Sequence, residues 1–168
     1  GALIINKEAI GDSDYNRTFA VDATFAVHRN FTVTSFLAKT QTPGITNGDM
    51  AGYFRGAWLS PSWRLSGEYT DLQDNFNAEV GFIPRVGIRT TKFHGEWNPR
   101  PGRWNIRYFD PMLNVEYTTD QRNRLLTRRV HHMVGTYFEN GANFTVIYND
   151  HFEQLDVAFP IQSDVTIP

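Results

Sequence analysis

Two histidines stand side by side at His131-His132, and two others precede an acid by two residues, His94 with Glu96 and His151 with Glu153. Imidazole and carboxylate groups of this kind ligate transition metals. Neighbours on a strand point to opposite faces, so His131 and His132 do not share an ion, whereas each i, i+2 pair shares a face and supplies two ligands. A complete site needs a third or fourth group. The sequence offers no cue for one, so no metal and no other cofactor is expected.

Asp71, Asp74, Asn75 and Asn77 make an oxygen-rich segment of the kind that binds calcium, but their order does not follow the EF-hand spacing. A solvated loop held by side-chain-to-backbone bonds is the simpler expectation. Glu68, Glu96 and Glu116 could meet across a lumen, and paired carboxylates about 5–9 Å apart hydrolyse glycosides. Arg122, Arg124, Arg128 and Arg129 form the basic cluster, suited to lipid phosphates or to anions in a pore, or simply to a solvated loop with Arg129 paired to an acid. The chain has no Gly-x-Ser-x-Gly, no phosphate-binding Gly-rich loop and no His-Glu-x-x-His. No catalytic residue is assigned.

The elements that must position these groups are strands. The chain has 168 residues, enough for one domain, with 13 Phe, 7 Tyr and 4 Trp, a content foreign to disordered chains. Its formal charge of −2 argues against nucleic acid as a partner, and its lack of cysteine excludes disulfides and thiolate chemistry. No apolar run approaches the roughly 20 residues of a spanning helix, a test that spanning strands escape. The first residues, Gly1-Ala2-Leu3-Ile4, show neither Met nor a leader, as in a mature or excised piece.

Apolar residues recur with a period of two nearly everywhere. Trp63, Leu65, Gly67 and Tyr69 oppose Arg64, Ser66, Glu68 and Thr70; segments 19–27, 50–58 and 88–97 read similarly, 31–40 and 125–138 are less regular, and Phe144, Val146 and Tyr148 follow the turn at Glu139-Asn140-Gly141. Trp104, Ile106 and Tyr108 occupy even positions but Leu113, Val115 and Tyr117 odd ones, which predicts a bulge or break at Asp110-Pro111. The expectation is an all-β, antiparallel up-and-down meander of about eight strands, a barrel or part of a larger one. Only weak strand signals follow Asp150.

Aromatic residues flank the short turns: Trp58 and Trp63, Trp97 and Trp104, Phe138 and Phe144. Short turns alternate with longer loops. Girdles of aromatics at water–lipid boundaries, short turns at one end and long loops at the other describe an outer-membrane barrel. These six residues are then the girdle, with Arg64, Glu68, Lys92, Glu96 and Arg107 lining an aqueous lumen. The loop from Asp71 through Asp74, Phe76, Phe82, Pro84 and Arg85 carries apolar residues that could fold inward as a constriction. The rival is a soluble lipocalin-like barrel with its apolar faces inside around a small apolar ligand. Gly56-Ala57-Trp58 is similar to the Gly-x-Trp of lipocalins but sits on the third strand. A polysaccharide-processing enzyme is the third reading.

The stretch from Tyr69 to Arg85, most specifically Phe76-Asn77-Ala78-Glu79-Val80-Gly81-Phe82-Ile83-Pro84-Arg85, resembles a segment of a bacterial β-barrel family. In that family the barrel follows a family-nine-type carbohydrate-binding domain. Gly1-Ala2-Leu3-Ile4 and Asn16-Arg17-Thr18-Phe19-Ala20-Val21-Asp22 are also similar, so the resemblance covers most of residues 1–130. It implies an outer-membrane location, membrane lipid as a partner, a carbohydrate-binding domain in the parent chain and a link to glycans. The family barrel is longer, and Asp164-Val165-Thr166-Ile167-Pro168 lacks the usual terminal aromatic, so a fragment is expected.

Overall fold

The computed structural model describes residues 1–168 apart from 9, 11–13, 80, 82, 84, 156–158, 163–164 and 168; for 159–162 and 165–167 it describes the backbone alone. Nine antiparallel strands follow one another in a single up-and-down sheet: β1 (Ala2–Glu8), β2 (Tyr15–His28), β3 (Phe31–Gln41), β4 (Met50–Leu59), β5 (Trp63–Leu72), β6 (Ile88–Trp97), β7 (Ile106–Asp120), β8 (Leu125–Phe138) and β9 (Asn143–Glu153). β10 (Phe159–Gln162) and β11 (Val165–Ile167) form a separate hairpin. No helix occurs among the described residues. β1 and β9 are the edges, so the sheet is open.

The all-β meander expected from the alternation is therefore the fold, with one strand more. β1 escapes the pattern because Leu3, Ile4 and Ile5 are apolar on both faces; it pairs along Ala2↔Val21 to Glu8↔Tyr15. The break expected at Asp110-Pro111 is absent, since β7 runs through both residues, paired as Asp110↔Gly135 and Pro111↔Val134. Phe109 donates its N–H to Pro99 O on the β6 side at 3.0 Å. Pro111 shares that parity and lies just past the last β6 pair, Glu96↔Met112, where no donor is required. The change of facing comes instead from a register shift between Ile106 and Tyr108, with Arg107 the extra residue.

The pleat sorts the side chains into two dissimilar faces. One carries Phe25, Val33, Phe54, Trp58, Trp63, Leu65, Tyr69, Phe93, Trp97, Leu113, Val115, Val134, Val146 and Tyr148, in register across eight strands. Most of these rings and branches are open, Phe25 being 60% exposed, Phe54 51% and Tyr148 61%, while Val33, Leu65, Leu113 and Val115 are half-buried. The opposite, polar face is the shielded one. Among the described residues the buried apolar side chains are Ala38, Ala51, Phe76 and Leu126, fewer than the buried polar ones. The chain exposes 11595 Å², where a water-soluble monomer of its mass exposes about 8,500 Å². Among the described residues the large apolar side chains lie mostly on the open face of the sheet and not in a core between elements.

At one end of the sheet the long β5–β6 connection folds back over the polar face. Phe76 is buried against Ala38 and Ala51, with Ala20, Leu72, Ala78 and Ile83 around it. Ala20, Ala38, Ala51 and Leu72 form one cross-strand row, which small residues keep low enough to admit a ring. Gly87 ends this loop at φ +72°, and a Cβ there would strike the Asp74 carboxylate. Gly87→Ala is expected to destabilise the loop by at least the left-handed backbone cost of about 1–2 kcal/mol, read as faster amide exchange at residues 73–79.

Candidate functional site

The polar face is built from cross-strand rows, each set by the register. One row runs Arg55↔Glu68↔Lys92↔Glu116↔Arg129 across five strands, and the sign of charge reverses at every step. Arg55 Nε donates to Glu68 Oε1 at 3.0 Å. Glu116 stands between Lys92 and Arg129, each at 3.9 Å, and Arg129 lies 3.7 Å from Glu153. The next row runs Ser66↔His94↔Asn114↔His131↔Asn149. His94 Nδ1 bonds Asn114 Oδ1 at 2.6 Å, and His131 Nδ1 bonds Asn149 Oδ1 at 2.7 Å. On the other side lies a threonine row, Thr70↔Thr90↔Thr118↔Thr127.

Nearer the short turns, Arg64 forks onto Glu96, with Nε 2.8 Å from Oε2 and Nη2 on Oε1. His94 Nε2 lies 3.6 Å from Glu96 Oε2, so the i, i+2 spacing does put the two side by side. A depression of about 340 Å³ opens over the charge and amide rows, lined by Ser66, Glu68, Lys92, His94, Glu116 and Arg129 among others. Stacked rings flank this region on the same face, Phe36 with Tyr53 and Tyr108 with Tyr137. Among the described residues no cluster of three or more His, Cys, Asp or Glu is placed to hold a metal.

Of the residues read from the sequence as facing one lumen, Arg64, Glu68, Lys92 and Glu96 do share the polar face. Arg107 does not join them: it is the exposed extra residue of the β7 bulge, outside the cross-strand rows. Arg55 and Arg129 complete the charge row and were not among those lumen residues. Register alone brings them into line, and register is invisible without the turns that set it. His131 and His132 point to opposite faces, as adjacent strand residues must. Arg124 instead closes the β7–β8 turn on Asp120, whose carboxylate accepts the N–H groups of Arg124 and Arg122 at 2.8 and 2.9 Å. These donors, the Arg124 N–H foremost, hold the Asp120 carboxyl below its usual range.

The β5–β6 loop is a strap across the polar face. Gln73 N–H donates to Met50 O at 3.0 Å, Asn75 N–H to Gly48 O at 2.7 Å, and Asn77 N–H to Thr40 Oγ1 at 3.2 Å. Buried Asn16 donates to Asn77 O at 2.7 Å, and Glu79 pairs with Lys7 of β1. Residues 73–79 thus reach from β5 to β1. Asp71, at the end of β5, pairs with Arg89 at 3.4 Å and accepts from Gln121 at 2.7 Å. Asp74 borders a surface hollow with Asp120 and Arg122, and Arg85 is half-buried. Phe82 and Pro84 lie outside the described residues.

On the apolar face, Trp58, Trp63, Trp97, Phe138 and Phe144 gather at one end, while Trp104 stands in the β6–β7 turn. Trp63 stacks on Trp97 at 5.4 Å, Trp58 on His28 at 5.7 Å, and Arg103 caps the ring of Trp104 at 4.1 Å. Phe138 pairs with Ile106, and Phe144 with Thr136. At the other end this face turns polar at Asn6, Arg17, Lys39, Asp71, Arg89, Thr119, Arg128 and Asp150, with no such residue on β4; the neutral polar residues Ser35, Thr91, His132 and Thr136 lie within the band.

These residues trace a slanted line. In the register the boundary slips two residues toward the short turns between β2 and β3, between β3 and β5, between β7 and β8, and between β8 and β9. That is one residue per strand on average over the sheet. At about 3.3 Å per residue and 4.8 Å between strands, the boundary lies about 35° from the perpendicular to the strands. The aromatic edge slips the same way: Trp58 is level with Leu65, Trp63 and Trp97 lie one row further, and Phe144 one row beyond. The apolar surface is a band with two parallel edges, oblique to its strands. No family model matches the chain, and neither curated proteins nor solved structures provide a match.

Proposed function

We propose that this sheet is a wall of a β-barrel spanning the bacterial outer membrane, acting as a pore, a transport component or a membrane anchor. The exposed, oblique apolar band carries the reading. A band level with a membrane requires its strands to tilt by the angle of its slope, and about 35° lies at the edge of the 35–45° of such barrels. On β7 the band spans Phe109 to Tyr117, roughly 26 Å along the strand and about 22 Å once tilted, against an apolar belt of about 25 Å. A soluble barrel tilts its strands by a similar angle, so it is the exposure of the band, with the polar face the more shielded, that favours lipid over a soluble core.

Outer-membrane lipid is then the partner of the apolar face, and the stacked Trp63 and Trp97 sit at one headgroup boundary. The strap narrows the aqueous side as a fixed element, because its backbone is bonded to the β3–β4 connection and to β2. The resemblance to barrels that follow a carbohydrate-binding domain supports a glycan-related role for the parent protein. A lipocalin-like arrangement is disfavoured, since it needs the apolar face shielded and the polar face open. The test is fluorescence of the chain in vesicles of brominated phosphatidylcholine. Trp58, Trp63 and Trp97 are expected to be quenched several-fold more than by bromide in the water, and unquenched rings would overturn the membrane reading.

A further inference from the structure

The charge row of the polar face has a consequence for what it admits, and this step rests on the pore reading above. Charges that reverse sign at every strand repeat about every 10 Å, and the field of such a row dies away within about 2 Å of the surface. A passing ion meets no sustained attraction or repulsion. Yet the same groups remain open for contact: Lys92 and Arg129 stand 3.9 Å from Glu116, close enough to cancel its charge but beyond hydrogen-bond length. Their donors are left for a solute. The His–Asn row and the threonine row beside them add neutral donors and acceptors, and the Phe36–Tyr53 and Tyr108–Tyr137 pairs supply flat apolar faces.

We propose that the polar face, centred on the Lys92–Glu116–Arg129 depression, selects uncharged, hydroxyl-rich solutes over ions of either sign. Hydroxyls donate to Glu68 and Glu116 and accept from Lys92 and Arg129, while the non-polar face of a ring rests on the aromatic pairs. A charged solute of equal size gains the same contacts but must shed more tightly held water. At about 340 Å³ the depression falls within the usual range of small-ligand sites, about 300–1,000 Å³.

The test is single-channel recording of the full-length protein in planar bilayers, with raffinose as the neutral solute and trigalacturonate and the glucosamine trimer as charged trisaccharides of similar size. The wild type is expected to show near-equal permeability to potassium and chloride, and raffinose is expected to lower its current more than either charged solute at equal concentration. Glu116→Gln removes the acid between two cations and is expected to shift the anion-to-cation permeability ratio about threefold toward anions, with Lys92→Met shifting it the other way. Both variants should weaken the raffinose effect. A wild-type channel more than about tenfold selective for one ion sign, or indifferent to raffinose, overturns this inference and leaves the pore intact. Absence of any current removes the pore reading itself, and this inference with it.

Discussion

Phe93→Arg is expected to cost the membrane-inserted sheet about 2–4 kcal/mol, a loss of roughly 30- to 1,000-fold in the folded-to-unfolded ratio. Phe93 sits mid-band on β6, between Gly67 and Val115. A cation there must be carried into hydrocarbon. Thr91 lies one row nearer the polar boundary, beside Tyr69 and Tyr117, and Thr91→Arg should cost only about 0–1 kcal/mol because a long basic side chain reaches the headgroups. Ser66→Arg, on the polar face, should be equally mild. Urea titration in phosphatidylcholine vesicles measures all three. A soluble core also rejects buried arginine, but it offers no headgroup layer for a long basic side chain to reach from Thr91. Equal costs at Phe93 and Thr91 would remove the bilayer from the account.

Phe76→Ala is expected to release the strap. Phe76 is 7% exposed and sits over the row Ala20, Ala38, Ala51 and Leu72. Deleting a buried phenyl ring costs about 3–5 kcal/mol in a packed site, and in this loop no second buried ring is described to share the load. The hydrogen bonds from Asn75 and Asn77 then have to hold a segment whose remaining apolar contacts are the partly buried Ala78 and Ile83. Amide exchange at residues 73–79 should rise by at least a hundredfold, while exchange in β5 and β6 stays near its original rate. If the strap narrows a pore, conductance rises in the same variant. Unchanged exchange would mean that the polar bonds alone hold the loop, and the ring would be incidental to it.

Much of this architecture can be read one strand at a time. The alternation of Trp63, Leu65, Gly67 and Tyr69 with Arg64, Ser66, Glu68 and Thr70 states both the strand and its two unlike faces, because side chains on a pleat point alternately up and down. Tryptophans beside Ser60 and Pro99 announce the ends of hairpins. β1 was hidden because Leu3, Ile4 and Ile5 do not alternate, and Pro111 leaves β7 unbroken because proline at the end of a ladder removes no bond. The bulge at Arg107 leaves a trace in the switch from even to odd apolar positions, four residues from where proline suggested it.

What the chain determined by itself is therefore local: the strands, their turns, the division into a wet and an oily face, and the apolar residues of the strap. Those follow from backbone geometry acting over a few residues. The tertiary structure alone decided that Glu68, Lys92, Glu116 and Arg129 stand in one row, that Phe76 lies on alanines of β3 and β4, and that the oily band slopes across its strands. Each depends on the register between strands distant in sequence. A slip of one residue would turn every side chain of a strand to the other face at little change in local preference.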